Sequence, residues 1–330
     1  MTDKFVLDSR ESELKRPTHE ATVSITEYGG LDIAVSVVDA RPAEGKGRTI
    51  IWPEAYAARM DQFEIQRQVT IAEALNARVI SVEEPGVGMS MGANTTPLQK
   101  LDLLRGRFTE SAKCVLGAIN EVVGLSPNEP VELLLYSQGA AVGAAMLKNL
   151  GDEVFGMKLR VPRVTIIEAV NDQPWNIMEL LKKIGEEDAH TDRYLDENKQ
   201  FDWLVPPTDR TPEGKLFVDA HNKAQNPSML LGGAALRKPF NPVLLDAIDA
   251  DKSDNTTGIS KARIDIYKFD GSGVSRLEEN NLTFNQLTAA MPLGNIALTE
   301  ITGPSYAGHH YHPAVHSMPN IEVISRELLK

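Results

Sequence analysis

The sequence predicts an α/β fold built on a mostly parallel sheet with helices on both faces, and three observations carry that prediction. Short apolar strand-like runs alternate with helix-period stretches along most of the chain. Runs such as VELLLY (131–136) are apolar throughout rather than alternating, as in strands buried on both faces. The rhythm breaks between 172 and 260 and then resumes, the pattern of one α/β domain carrying an insertion.

Residues 1–20 are polar and predict a loosely ordered segment. ATVSITEYGGLDIAVSVVDA (21–40) holds two β-rich runs around Gly29-Gly30 and reads as a hairpin. RTIIW (48–52) is a strand, Asp61–Asn76 a helix, and RVISVE (78–83) a further strand. Pro97–Val123 is amphipathic and helical, VELLLY a buried strand, Ala140–Leu150 a helix, and RVTIIEAV (163–170) a strand. The stretch 172–260 is charged and proline-interrupted, with helix-like pieces such as WNIMELLKKI and NPVLLDAI. After it come RIDIYKF (263–269), a helix near Asn281–Met291, NIALTEI (295–301) and a last helix near Pro313–Leu328.

The 330 residues carry 34 Lys+Arg against 46 Asp+Glu, a net charge of −12. Such a surface repels phosphate backbones, and no basic patch offsets it, so nucleic-acid binding is not expected. Cys114 is the single cysteine, which excludes an intramolecular disulfide and a cysteine-based zinc site. No run approaches the roughly 18 apolar residues of a spanning helix, and the charged N-terminus lacks a signal-peptide core. A soluble, cytoplasmic protein is expected, without a membrane span; a homo-oligomer stays open.

The strongest chemical signal is Leu135-Tyr136-Ser137-Gln138-Gly139-Ala140, where a buried strand turns directly into a helix. A serine there is pushed out at the strand's C-terminal end, and the helix N-terminus behind it offers N–H groups to developing negative charge. Gly139 allows close packing of helix and strand. The plainer alternative is that Ser137 only caps the helix. About 55 residues upstream, a strand runs into Glu84-Pro85-Gly86-Val87-Gly88-Met89-Ser90.

On these strings the chain resembles the α/β-hydrolase superfamily, whose members often carry Asp-x-Pro-Gly-x-Gly-x-Ser after the fourth strand and a Gly-x-Ser-x-Gly nucleophile elbow after the fifth. A glutamate stands in place of the usual Asp, and Leu135 stands where the first elbow glycine is usual. Tyr-Ser-Gln-Gly is similar to the elbow of cutinase-like esterases. The resemblance implies an eight-stranded, mostly parallel sheet flanked by helices. Its core domain would be 21–171 with 261–330, and a helical cap over 172–260 would follow the sixth strand. Trp175, Trp203 and Phe240 would line a pocket under that cap or form its own core.

The resemblance also implies a catalytic triad. Ser137 is the nucleophile, and His309 in Gly308-His309 is the base, with His310 as the alternative register. Asp270, after the seventh strand, is the expected acid. Asp172 is second, and Glu278 or Glu279 third. The oxyanion donors are the backbone N–H of Gln138 and, in the turn Trp52-Pro53-Glu54-Ala55, that of Glu54 or Ala55, because Pro53 has none. A carboxylate at Glu54 disfavours an oxyanion unless it points away. His312 precedes Pro313 and reads as a helix start. His309, His312 and His316 also have a metal reading, but no His-Glu-x-x-His pattern accompanies them. No cofactor is required. The expected function is a serine hydrolase acting on a small-molecule carboxylic ester through an acyl-serine intermediate. An acyltransferase with the same triad and a non-catalytic binding member of the fold are the alternatives.

Overall fold

The computed structural model describes residues 3–6, 18–41, 47–54, 60, 62–85, 90, 96–150, 159–170, 174–176, 178–180, 182–183, 231–232, 234–269, 272, 275, 277–291 and 296–302. Their nine strands form one sheet: β1 (Asp3–Val6), β2 (Thr22–Tyr28), β3 (Leu31–Asp39), β4 (Arg48–Pro53), β5 (Ala77–Val82), β6 (Pro130–Tyr136), β7 (Arg160–Ile167), β8 (Arg263–Phe269) and β9 (Ile296–Thr302). The spatial order is β1-β9-β8-β7-β6-β4-β5-β3-β2. Only the β2–β3 hairpin and the β3–β5 pair are antiparallel. All eight expected strands are present. The ninth, β1, lies in the segment read as loosely ordered and adds a parallel edge to β9.

The helices follow the expected rhythm: α1 (Gln62–Leu75), α2 (Pro97–Leu104), α3 (Thr109–Val123), α4 (Gly139–Asn149), α5 (Asn241–Asp254) and α6 (Leu277–Ala290). The single helix expected over 97–123 is two. Gly106 sits at φ +71, a left-handed conformation that ends α2 and that L-residues adopt at a cost. Asp102 secures the corner by accepting from the Glu110 backbone N–H at 3.0 Å and pairing with Arg107 at 2.9 Å.

One sheet face carries a continuous apolar core. Ile51, Leu133, Leu135, Val164, Ile166, Ile264, Ile266 and Leu298 project from successive strands against α3, α4 and α5. Burying each such side chain is worth roughly 1.5–3 kcal/mol, so this layer dominates the stability of the sheet centre. α5 lies within the stretch expected as a cap, yet Leu244, Ala247 and Ile248 join this core and α5 packs on α4. Residues 241–254 therefore belong to the layer against the sheet, and most of the remaining 172–240 lies outside the described residues. Among the described residues, no helix is long and apolar enough to cross a membrane.

Candidate active site

β6 is a central strand, flanked by β4 and β7, and its apolar run leads straight into α4. At the junction Ser137 has φ +54, and its N–H donates to the Ile167 carbonyl at 3.1 Å. A left-handed non-glycine residue costs roughly 1–3 kcal/mol and persists only where the surroundings over-determine it. Here both flanks are pinned, by β7 on one side and on the other by α4, whose first bonds are Ala140 N–H to Ser137 O at 3.2 Å and Ala141 N–H to Gln138 O at 2.9 Å. Ser137 is 5% exposed. The sharp strand-to-helix turn expected at Ser137 is thus present.

Gly139 is required by the end of β4. A Cβ there would stand 2.6 Å from the Pro53 carbonyl oxygen and 3.5 Å from that of Glu54. The α4 N-terminus therefore rests directly on the turn after β4, the arrangement that two backbone donors from these segments need. Among the described residues, the Gln138 N–H donates no hydrogen bond. Ala55, the other candidate donor, lies outside the described residues.

The unusual Leu135 has a partner that explains it. Its side chain is fully buried, and a Cβ on Gly143 of α4 would stand 2.2 Å from Leu135 Cδ2. The glycine expected on the strand has been exchanged for a glycine one turn into the helix, so the close approach is kept with the bulk on the opposite side.

Glu54 turns its carboxylate away from the elbow. It accepts from Gln68 Nε2 at 2.8 Å and from Ser81 Oγ, and its other oxygen lies 3.4 Å from the Arg67 guanidinium. Burial pushes this carboxyl up, with the Arg67 charge opposing. Arg67 of α1, 1% exposed, also pairs with Glu64 and lies over the rings of Trp52 at 4.3 Å and Tyr136 at 5.3 Å. It thus ties the end of β4 to the residue before the nucleophile. The electrostatic objection to Glu54 is removed by this geometry.

Two further carboxyls flank the elbow. Glu84 accepts from Gln138 Nε2 at 3.0 Å. Glu83 accepts from the Met60 and Ser90 backbone N–H groups at 2.8 and 2.7 Å and from Ser90 Oγ at 2.9 Å. Ser90 Oγ in turn accepts from the Ala34 N–H at 2.9 Å, so Glu83 ties three segments together. Burial pushes both carboxyls up to about 7.

Sequence reasoning missed Glu168. Strand β7 was expected to run to Val170, but it ends at Ile167, and Glu168 turns left-handed at φ +51 with its N–H bonded to Tyr267 O at 3.0 Å. Ser137 and Glu168 are thus two left-handed, buried residues at the ends of adjacent parallel strands. On β8 and β9, Lys268 and Glu300 face each other in register, 4% and 7% exposed. The available signal was a glutamate inside the apolar run TIIEAV.

His309, His310, His312, His316, Asp270 and Asp172 lie outside the described residues, as do Gly86 and Gly88. Asp270 directly follows β8, and Glu278 and Glu279 fall in the first turn of α6. Among the described residues, no cluster of three or more His, Cys, Asp or Glu could hold a metal ion.

No protein-family model matches the chain, and no curated protein matches it. Solved structures do. A proline iminopeptidase of Mycobacterium smegmatis matches with a TM-score of 0.55 at 13% identity, covering 93% of this chain and 97% of that one. An epoxide hydrolase of Vigna radiata matches with a TM-score of 0.52 at 10% identity, over 94% and 98%. A haloalkane dehalogenase variant of Bradyrhizobium elkanii matches with a TM-score of 0.50 at 10% identity, over 94% and 96%. These neighbours are α/β-hydrolases, and they cover nearly the whole chain at identities that speak for architecture alone. With its parallel sheet, antiparallel opening hairpin and left-handed serine at the β6–α4 turn, this chain has the α/β-hydrolase fold.

Proposed function

We propose that the chain is a serine hydrolase that cleaves a small-molecule carboxylic ester through an acyl-serine intermediate. The observation that carries this reading is the elbow: Ser137 at φ +54, with Gly139 seated on the Pro53 carbonyl and the Gln138 N–H group uncommitted beside it. The structural neighbours, all hydrolases, agree with hydrolysis as the reaction class. Fold alone does not choose the bond, and the serine with an oxyanion site suits acyl transfer in general; the ester is the proposed member of that class.

In this mechanism Ser137 Oγ attacks the ester carbonyl carbon while His309 takes the hydroxyl proton. The carbonyl oxygen becomes an oxyanion held by the N–H groups of Gln138 and of Glu54 or Ala55. One such donor is worth about 2.7–4 kcal/mol. Collapse expels the alkoxide, which takes the proton from His309. Water then repeats the sequence on the acyl-serine and releases the acid. No metal or organic cofactor enters these steps. Asp270 is the proposed acid that orients His309, with Asp172 the alternative. Glu168 joins them as a third carboxylate, favoured by its place next to Ser137 and its left-handed backbone.

Labelling by a fluorophosphonate probe tests the proposal, since only an activated serine reacts at a useful rate. The wild type should label, Ser137→Ala should not, and His309→Ala should lose labelling while keeping its melting temperature. If His310→Ala is the silent variant instead, the base is His310. A wild type that resists the probe favours the non-catalytic alternative. Turnover that needs an added alcohol or thiol acceptor favours the acyltransferase.

A further inference from the structure

We propose that Glu84 is held as a neutral carboxylic acid paired head-to-head with the Gln138 carboxamide, so that it sets the position of the Gln138 backbone N–H. Glu84 is then a positioning residue, and its role rests on the oxyanion reading above. Gln138 is fully buried; its Nε2 donates to Glu84 Oε1 at 3.0 Å, and its own Oε1 has no hydrogen-bond partner among the described residues. Buried amide oxygens are rarely left without a donor. An ionised Glu84 has none to give, because a carboxylate only accepts. A protonated Glu84 has one. Its Oε2–H can go to Gln138 Oε1 while Glu84 Oε1 keeps the Nε2–H, closing an eight-membered acid–amide ring. One proton satisfies both side chains.

The surroundings favour that proton. Burial pushes the half-buried Glu84 carboxyl up to about 7, opposed by the Gln138 hydrogen bond, and among the described residues no cation stands against it. Among the described residues, the charged groups on neighbouring elements are committed elsewhere. Glu83 is bonded to Met60 and Ser90, and Glu54 to Gln68, Ser81 and Arg67, which also holds Glu64. Glu168 stands at the end of β7, on the far side of β6 from β5. The α4 N-terminus favours the anion, but by at most about 1.5 pH units for a partly buried side chain at a helix end. That is smaller than the rise from 4.5 to about 7. Locking the carboxamide locks the residue whose N–H faces the developing oxyanion, where small displacements are costly.

Two readouts test this. The first is the infrared C=O stretch of protonated carboxyl groups, taken as wild type minus Glu84→Gln at pH about 6, where exposed glutamates are ionised. Glu83 is common to both and cancels. One carboxylic-acid band should appear in the difference and vanish by pH about 8.5; a difference without that band overturns the proposal, whatever Ser137 does. The second is the fluorophosphonate labelling rate. Glu84→Gln can keep the ring as an amide–amide pair and cannot titrate. Its rate relative to wild type should be level below pH about 6.5 and rise about fivefold by pH about 8.5, the size of one hydrogen bond. Glu84→Ala should label about fivefold more slowly at pH 6. A level ratio together with normal labelling by Glu84→Ala overturns the positioning role. If wild type never labels, the serine-hydrolase reading fails, and the infrared difference alone decides the pairing.

Discussion

Replacing Gly139 by alanine should disable the elbow without unfolding the protein, and the geometry sets the size of the effect. The new Cβ would stand 2.6 Å from the Pro53 carbonyl oxygen, whereas ordinary contact begins at 3.4 Å, so about 0.8 Å must be found. Gly139 has no positive φ, so the obstacle is steric rather than conformational. Pro53 is held by the β4–β5 ladder opposite Val82, which leaves the N-terminus of α4 to move. Overpacking of this kind costs roughly 1–3 kcal/mol of stability. The same displacement separates the Gln138 N–H from the Glu54 turn, and a misplacement near 1 Å costs on the order of 10²-fold in rate. Urea unfolding should show a cooperative but weakened fold, and the second-order rate of fluorophosphonate labelling should fall about a hundredfold. A folded Gly139→Ala variant that labels within about twofold of wild type would refute the placement of the oxyanion site between these two segments.

Three further outcomes are expected. Leu135 and Gly143 form a size-matched pair: Leu135→Ala should cost about 2–5 kcal/mol and Gly143→Ala about 1–3 kcal/mol. The double variant should cost less than their sum, and strictly additive losses in a denaturant cycle would show that the two do not share a space. Arg67→Met should lose about 3–5 kcal/mol because Glu54 and Glu64 are left buried without their cation; a variant within about 1 kcal/mol of wild type in urea would contradict that. The third outcome concerns pH. Glu83 is fully buried, and its carboxyl is raised by burial from 4.5 to about 7. The unfolded chain therefore releases this proton first, so the contribution is present below pH 4.5 and is lost as pH rises through 7. Between pH 5 and 8 this group alone should lower stability by about 2–3 kcal/mol. Asp39, Glu73 and Asp251 are lowered and act only at more acid pH, so the two windows separate. Stability that climbs from pH 5 to 8 in urea titrations would rule out the raised carboxyl.

Local pattern alone determined a good deal about this chain. Short solid apolar runs rich in β-branched residues and leucine suit strands covered on both faces, and their alternation with helices leaves a parallel sheet as the economical solution, which the β4 to β9 ladders display. Ser137 was legible for the same reason: a buried strand that meets a helix without a linker must turn sharply, and the residue at the turn is forced outward. What the pattern could not contain is anything set by distant partners. Gly106 breaks a helix that periodicity carries through, because one left-handed residue leaves the apolar repeat on either side intact. Leu135 is an anomaly in one dimension and a fit in three, since the missing glycine is Gly143, eight residues on and one helix away. Glu54 beside an oxyanion site is unfavourable as a string, and only Arg67, Gln68 and Ser81, brought in from α1 and β5, show where its charge goes. Glu168 was hidden inside an apolar run until the strand was seen to stop one residue before it. Periodicity records which face a residue presents; which atoms wait on that face depends on contacts across the chain, and those exist only once it has folded.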